Sequence, residues 1–189
     1  MVLSQSEIAV ISLALAADCF VTTWFSGALH KKLGIRLDFK LPVILSSGRV
    51  MFLVIGIVAG QFLSSFLTDY IFMTGLSVIS IVAIKLGVES LRFYPEEKVI
   101  LIDNYKTAFL ITMAGSFNTL IAGTGLGIFG SGLTMPSLIT FFAVACFSIA
   151  GILAGKAYGY KPSIRFFALF SGILIFLVML RLFIFHMVK

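Results

Sequence analysis

Charged residues are scarce in this sequence: Asp, Glu, Lys and Arg make up 12% of its 189 residues, whereas an average soluble domain is about a quarter charged. Cysteine, histidine and proline are also few, with 2, 2 and 4 residues respectively. Cys19 and Cys146 each lie inside an apolar run, which argues against a disulfide framework and excludes C-x-x-C metal chemistry. No Ser-His-Asp set and no paired carboxylates stand out, so we do not expect an enzyme.

Apolar residues dominate instead: 60% of the chain is hydrophobic, including 20 Phe. This composition excludes a disordered chain, a coiled coil and an ordinary cytosolic enzyme. The formal net charge of +6 would suggest a nucleic-acid partner in a soluble protein, but here little water-facing surface remains to carry a basic patch. The sequence therefore predicts an all-α integral membrane protein that lies in the lipid bilayer and binds no nucleic acid.

Six apolar stretches are long enough to span a membrane, because about 30 Å of hydrocarbon at about 1.5 Å per residue needs about 20 residues. Ten of the 14 Lys and Arg residues lie in or beside loops 1, 3 and 5, which places these loops in the cytoplasm and both termini outside. Only short loops join the stretches, so we predict a single transmembrane transporter domain over residues 1–189. The stretches cover residues 7–27, 41–61, 70–91, 107–129, 137–157 and 166–186.

The two halves of the chain resemble each other. Asp18 and Asn118 end similar six-residue patterns 100 residues apart, and Gly27 recurs as Gly127 at the same offset. Since each half has an odd number of spans, we predict two inverted three-helix repeats, an arrangement typical of transporters that hold a small solute near the midplane. Similar composition of apolar helices is the alternative explanation. The predicted repeats cover residues 7–92 and 107–187. Gly-(x)3-Gly segments recur at 56–60 and 151–155, where we predict that the second and fifth helices approach a neighbour closely.

Polar residues inside the spans need a reason, because an ionisable side chain at the bilayer centre costs about 2.5–3.5 kcal/mol. Asp18 lies near the middle of the first span and Asn118 lies equally deep in the fourth. Thr22 continues the Asp18 face at i+4, and Ser116 supplies a hydroxyl near Asn118. Oxygen ligands of these kinds suit a hard divalent cation such as Mn²⁺ or Mg²⁺, with Asp18 and Asn118 as the metal ligands. A buried acid that merely joins two helices is the alternative.

Two further sets of charged residues lie within the spans. Arg49 lies too deep in the second span to reach the cytoplasmic surface easily, so we predict that it pairs with Asp18 and offsets both desolvation costs. Because the pair opposes a bare divalent cation at the carboxylate, Arg49 would act as a gate or counter-charge, or else bind an anion. Lys85 and Glu89, four residues apart in the third span, are expected to form a structural ion pair.

With these residues in place, the chain resembles the bacterial manganese efflux pump family (MntP type), which includes a sporulation-associated branch. The resemblance implies a multi-pass protein of the bacterial cytoplasmic membrane that exports Mn²⁺ as its substrate, with no resident cofactor, and it carries over Asp18 as a functional residue. Two positions depart from the family pattern, which has Asp in place of Asn118 and Glu in place of Arg49. The matching motifs lie at residues 17–23, 85–92, 116–125 and 148–156.

The leading hypothesis is a secondary transporter that exports a small divalent cation, Mn²⁺ by resemblance, through alternating access. The sequence contains no ATP-binding motif, so an ion or potential gradient would supply the energy. Two alternatives stay open: an exporter of an amino acid or anion that uses Arg49 as its ligand, and a non-transporting membrane protein of the sporulation type. The sequence does not decide the coupling ion or the oligomeric state, for which a homodimer is one option.

Overall fold

The structure, a computed structural model, describes residues 3–29, 35–66, 70–91, 105–159, 161 and 164–187. Each of the six predicted stretches coincides with a helix. Over the described residues, all of these helices except α4 are long and apolar enough to cross a membrane, so the chain is an all-α membrane protein. The helices are α1 (Gln5–Leu29), α2 (Ile35–Phe66), α3 (Ile71–Leu91), α4 (Tyr105–Ile128), α5 (Thr134–Tyr158) and α6 (Arg165–Met187).

Local side chains explain where α1 begins, and a glycine explains where α4 ends. At the start of α1, the Ser4 amide donates to Oε2 of Glu7 at 2.9 Å and the Glu7 amide donates to Oγ of Ser4 at 3.4 Å, which is a capping box. After α4, Gly130 adopts a φ of 73°. Its amide and the amide of Ser131 donate back to carbonyls of the last turn, so the helix closes in a Schellman motif.

Two helices begin at least three residues earlier than the apolar pattern predicts. Helix α2 starts at Ile35 rather than near residue 41, because residues 35–40 are too polar for a membrane span but include good helix formers. Helix α5 starts at Thr134 and contains Pro136. Proline is tolerated there because the first-turn amides of a helix have no partner within the helix.

The helices pack in a crossed pattern. Helix α1 lies mainly against α5, α2 lies mainly against α4, and α3 lies against α6. Smaller contacts join α2 to α5, α1 to α6 and α3 to α4. Large apolar side chains cover the outside of this bundle, with Phe62, Phe66 and Phe142 each more than half exposed. Such a continuous apolar exterior needs lipid around it.

Glycines bring the backbones of the two closest helix pairs into direct contact. At each of four glycines in α2 and α5, an added Cβ would overlap a carbonyl oxygen of the neighbouring helix. The predicted role of the two Gly-(x)3-Gly segments, close approach to a neighbour, is what the structure shows. The contacts are Gly56 with Leu120, Gly60 with Thr124, Gly151 with Phe20 and Gly155 with Trp24.

Candidate functional site

Asp18 and Arg49 form an ion pair inside the helix bundle. Nη2 of Arg49 lies 3.1 Å from Oδ2 of Asp18, and the two side chains are 3% and 15% exposed for the arginine and the aspartate. Asp18 lies near the middle of α1, and Arg49 reaches it from α2. The geometry is the one that the sequence predicts for these two residues. Each charge neutralises the other, so neither is left bare in an apolar interior.

The surroundings of Arg49 fix its guanidinium at the junction of α1, α2 and α4. Nη1 donates to the Leu15 carbonyl oxygen of α1 at 2.7 Å. On the α4 side, a Cβ added to Gly115 would lie 3.0 Å from Nη2, so glycine at this position leaves the space that the guanidinium fills. Nε of Arg49 is buried and finds no hydrogen-bond partner among the described residues. Sequence alone shows neither the Leu15 carbonyl nor Gly115 as part of this site.

Asn118 meets Glu89 rather than Asp18. Nδ2 of Asn118, on α4, lies 3.4 Å from Oε2 of Glu89, on α3. The Asn118 side chain is only 3% exposed, and its Oδ1 has no hydrogen-bond partner within the described part of the chain. Among the hydrogen bonds of the described residues, none joins Asn118 directly to Asp18. Arg49, which contacts Asp18 and lies beside Gly115, occupies the space between their two helices.

The two predicted hydroxyl ligands are turned toward their own helices. Oγ1 of Thr22 donates to the Asp18 carbonyl oxygen at 3.3 Å, and Oγ of Ser116 donates to the Thr112 carbonyl oxygen at 2.6 Å. Both bonds are the i to i−4 bonds that Ser and Thr often form in apolar helices. Thr22 and Ser116 are therefore satisfied without a bound ion, although each hydroxyl oxygen keeps lone pairs that can accept or coordinate.

The predicted intrahelical pair of Lys85 with Glu89 is not among the ion pairs that the described residues form with one another. Glu89 turns toward α4 because the Asn118 amide offers it a donor across the helix interface. A different pair forms between α1 and α6, where Nη1 of Arg181 lies 3.5 Å from Oε1 of Glu7. The i, i+4 rule that predicts the lysine pair uses positions on one helix only, and it contains no information on a partner from another helix.

The described residues hold no group of three or more His, Cys, Asp or Glu side chains close enough together to bind a metal ion. What they hold is two polar contacts, Asp18 with Arg49 between α1 and α2, and Asn118 with Glu89 between α4 and α3. Arg49 also lies beside Gly115, three residues before Asn118 on α4, and these four side chains are called the polar line below. The line contains carboxylate and amide oxygens, which suit hard cations, and a guanidinium that competes with them for the Asp18 carboxylate.

Comparison with known proteins identifies the family. Residues 32–183 match the family model described as "Putative manganese efflux pump". The chain belongs to this family. Family members are described as efflux pumps, so the sequence-based resemblance and the expectation of a membrane transport protein rather than an enzyme are confirmed. Asp18 precedes the matched segment, whereas Arg49, Glu89 and Asn118 lie within it.

Curated relatives named as pumps of this family match most of the chain at low identity. A relative from Methanosarcina acetivorans is 27% identical over 82% of this chain and 85% of its own length. Relatives from Methanosarcina mazei and Methanospirillum hungatei are 26% and 23% identical and cover 80% and 95% of this chain, and 79% and 93% of their own lengths. No solved structure shows a significant match.

Proposed function

We propose that this member of the manganese efflux pump family is a secondary transporter that exports a divalent cation, Mn²⁺, across the cytoplasmic membrane by alternating access. The observation that carries the proposal is the Asp18 carboxylate, held in the middle of an apolar helix by a buried arginine. Ionisable residues inside a membrane protein mark ion pathways by default, because their insertion is costly. The names of the relatives support manganese as the cation.

The glycine contacts support two inverted repeats over residues 7–92 and 107–187. The glycine contacts between α2 and α4 have counterparts between α5 and α1. Each counterpart is found by adding 95 to the residue number in α2 and subtracting 100 from the residue number in α4. The contact of Gly60 with Thr124, for example, becomes the contact of Gly155 with Trp24. An offset of 100 also relates Asp18 to Asn118. Similar composition would not reproduce matching contacts at constant offsets, whereas duplication does, and inverted repeats are the usual basis of alternating access.

In this proposal Arg49 neutralises the empty site. A carboxylate left bare in the apolar interior would be strongly unfavourable, and the guanidinium removes that cost when no ion is bound. An incoming divalent cation replaces Arg49 at Asp18, so the carboxylate is paired in both the loaded and the empty transporter. The carboxylate then stays paired while the transporter changes conformation, whether loaded or empty, and the displaced guanidinium keeps the Leu15 carbonyl oxygen as a hydrogen-bond acceptor.

The loop charges support an orientation of the exporter in the membrane. Loops 1, 3 and 5 hold most of the cationic residues, which favours their location in the cytoplasm and places both termini outside. The cation would enter from the side of these loops and leave on the side of the termini. An ion or potential gradient would supply the energy, since the sequence has no nucleotide-binding motif.

A manganese-sensitivity assay tests the proposal. In bacteria that lack their own manganese exporters, the wild-type chain should restore growth in toxic Mn²⁺, and Asp18→Asn should abolish this protection because it keeps the side-chain shape but removes the charge. Ser171→Ala, a buried hydroxyl change in α6 where Ser171 donates only to its own helix, serves as the matched control. Equal protection by wild type and Asp18→Asn, at equal protein levels, would overturn the site assignment.

A second candidate function keeps the fold but changes the solute to an anion or amino acid. The observation that favours it is Nε of Arg49, a buried donor that finds no partner among the described residues and is available to a carboxylate. Against it, the two terminal nitrogens of Arg49 are already engaged by Leu15 and Asp18. The two functions predict opposite effects of removing the arginine.

A further inference from the structure

Glu89 is the charged residue of the polar line that neither the repeat pattern nor the expected lysine pair explains. In the structure its carboxylate reaches across the α3–α4 interface, with Oε2 3.4 Å from Nδ2 of Asn118. The described residues provide no ion pair for it. A carboxylate in a membrane helix needs a source of stabilisation, and the one found among these residues is the Asn118 amide.

The register of α3 against α4 brings Glu89 to the level of Asn118. The two helices run antiparallel, with Ile79 beside Gly125 and Phe129 beside Gly75. Moving along α3 from Ile79 toward its C-terminal end therefore corresponds to moving along α4 from Gly125 toward its N-terminal half, where Asn118 lies. Glu89 thus contacts a residue in the middle of α4, although it is near the end of α3 itself.

The contact with Glu89 also determines which atom of Asn118 remains available. The amide nitrogen faces the carboxylate, since the reverse orientation would oppose the amide oxygen and a carboxylate oxygen, both acceptors. This leaves Oδ1 of Asn118 buried and without a partner among the described residues. The carboxylate of Glu89 has a second oxygen, Oε1, besides the one that accepts from Asn118. The Asn118 amide and the Glu89 carboxylate, which meet at Nδ2 and Oε2, therefore each keep an oxygen that can coordinate a cation.

The charges of the four residues also indicate that Glu89 takes part in cation binding. Asp18 and Arg49 neutralise each other, and Asn118 is uncharged, so these three residues alone offer no net attraction to a divalent cation. Glu89 gives the line one net negative charge. The carboxylate and amide oxygens of Glu89 and Asn118 are those that hard divalent cations prefer.

We propose that Glu89 is a further residue of the cation site, which both orients Asn118 so that Oδ1 is the free ligand atom and supplies a carboxylate oxygen to the ion. This inference rests on the proposed function. It assigns the ion-binding oxygens of α3 and α4 to one pair, Glu89 with Asn118, and leaves Asp18 with Arg49 as the second pair on α1 and α2.

The test compares charge removal with loss of the hydrogen bond. Glu89→Gln keeps an oxygen that accepts from Nδ2 of Asn118 but removes the charge, whereas Glu89→Asp keeps the charge on a shorter side chain. Lys85→Met, one turn earlier on α3, is the matched control for a charge change on this helix. Purified full-length variants in phospholipid nanodiscs are titrated with Mn²⁺ by calorimetry, and the thermal unfolding midpoint of each is followed by fluorescence of the single tryptophan, Trp24.

We expect Glu89→Gln to weaken Mn²⁺ binding at least tenfold with an unchanged unfolding midpoint, Glu89→Asp to retain part of the affinity, and Lys85→Met to bind as the wild type does. Wild-type affinity in Glu89→Gln would overturn the inference and reduce the contact to a helix-joining hydrogen bond, while leaving the proposed function intact. A wild-type protein that binds no Mn²⁺ would instead overturn the proposed function, and this inference with it.

Discussion

At Arg49, two nitrogens of the guanidinium are engaged by Leu15 and Asp18 while the third has no partner among the described residues. In the proposed repeat, the position equivalent to Arg49 lies 95 residues later, at Val144, which is fully buried. The arginine is therefore present in one half only. Because the aspartate equivalent in the second half is the neutral Asn118, that half has no charge for a second arginine to balance.

Replacing Arg49 with glutamate separates the two candidate functions. If the site carries a divalent cation, Arg49→Glu removes the competing guanidinium and adds a ligand, so Mn²⁺ binding to the purified protein should tighten at least tenfold and cellular protection should persist. If the solute is an anion or amino acid, all transport should be lost. Arg181→Gln, at an exposed arginine that pairs with Glu7, is the control and should behave as the wild type in both assays. Weaker Mn²⁺ binding in Arg49→Glu would contradict the cation proposal.

At the scale of the helices, the glycine contacts hold α1 against α5 and α2 against α4. Gly155 illustrates how little space they leave, because an added Cβ would overlap the Trp24 carbonyl oxygen and lie 2.9 Å from the Ala28 amide nitrogen. Backbone atoms cannot move aside as a flexible side chain can. Trp24 is tied to the same place by its indole nitrogen, which donates to the Gly159 carbonyl oxygen at 3.0 Å.

We therefore predict that Gly155→Ala lowers the stability of the bundle by about 1–3 kcal/mol, the usual cost of overpacking a tight interface. Gly87→Ala is the matched control, since Gly87 is also within a helix but an added Cβ meets nothing within 4 Å. It should be neutral or slightly stabilising, because alanine favours helix over glycine. The measurement is the unfolding midpoint in detergent followed by Trp24 fluorescence. Equal midpoints for the two variants would show that the interface is looser than the structure indicates.

The positions of the helices can be predicted from the sequence, whereas the neighbour against which each helix packs cannot. The apolar runs predict six helices and the Gly-(x)3-Gly segments predict close approach, because both depend on residues near in sequence. The identity of the neighbour, α4 for Gly60 and α1 for Gly155, depends on the packing of the whole bundle. Glu89 shows the same limit: the local rule offers it Lys85, whereas the structure offers it Asn118, 29 residues away. The Arg49–Asp18 pair was predictable because few charges lie at that depth.

At the scale of the whole molecule, α5 separates the two predicted faces of the membrane protein. Its 25 residues extend over about 37 Å at about 1.5 Å per residue, which exceeds the hydrocarbon thickness of about 30 Å. Gly132, just before α5, and Lys161, just after it, are both exposed. The charge distribution predicts that Lys161 lies in the cytoplasm and Gly132 outside.

Cysteine labelling tests the orientation directly. In a Cys19→Ala, Cys146→Ala background, a membrane-impermeant maleimide should label Gly132→Cys on intact cells and Lys161→Cys only after the cells are permeabilised. Gly132 suits the purpose because nothing lies within 4 Å of an added Cβ, so the new thiol has space to react. The reverse pattern would contradict the predicted orientation and place loops 1, 3 and 5 outside. Labelling of both positions on intact cells would show that α5 does not cross the membrane, and the six-span arrangement would have to be abandoned.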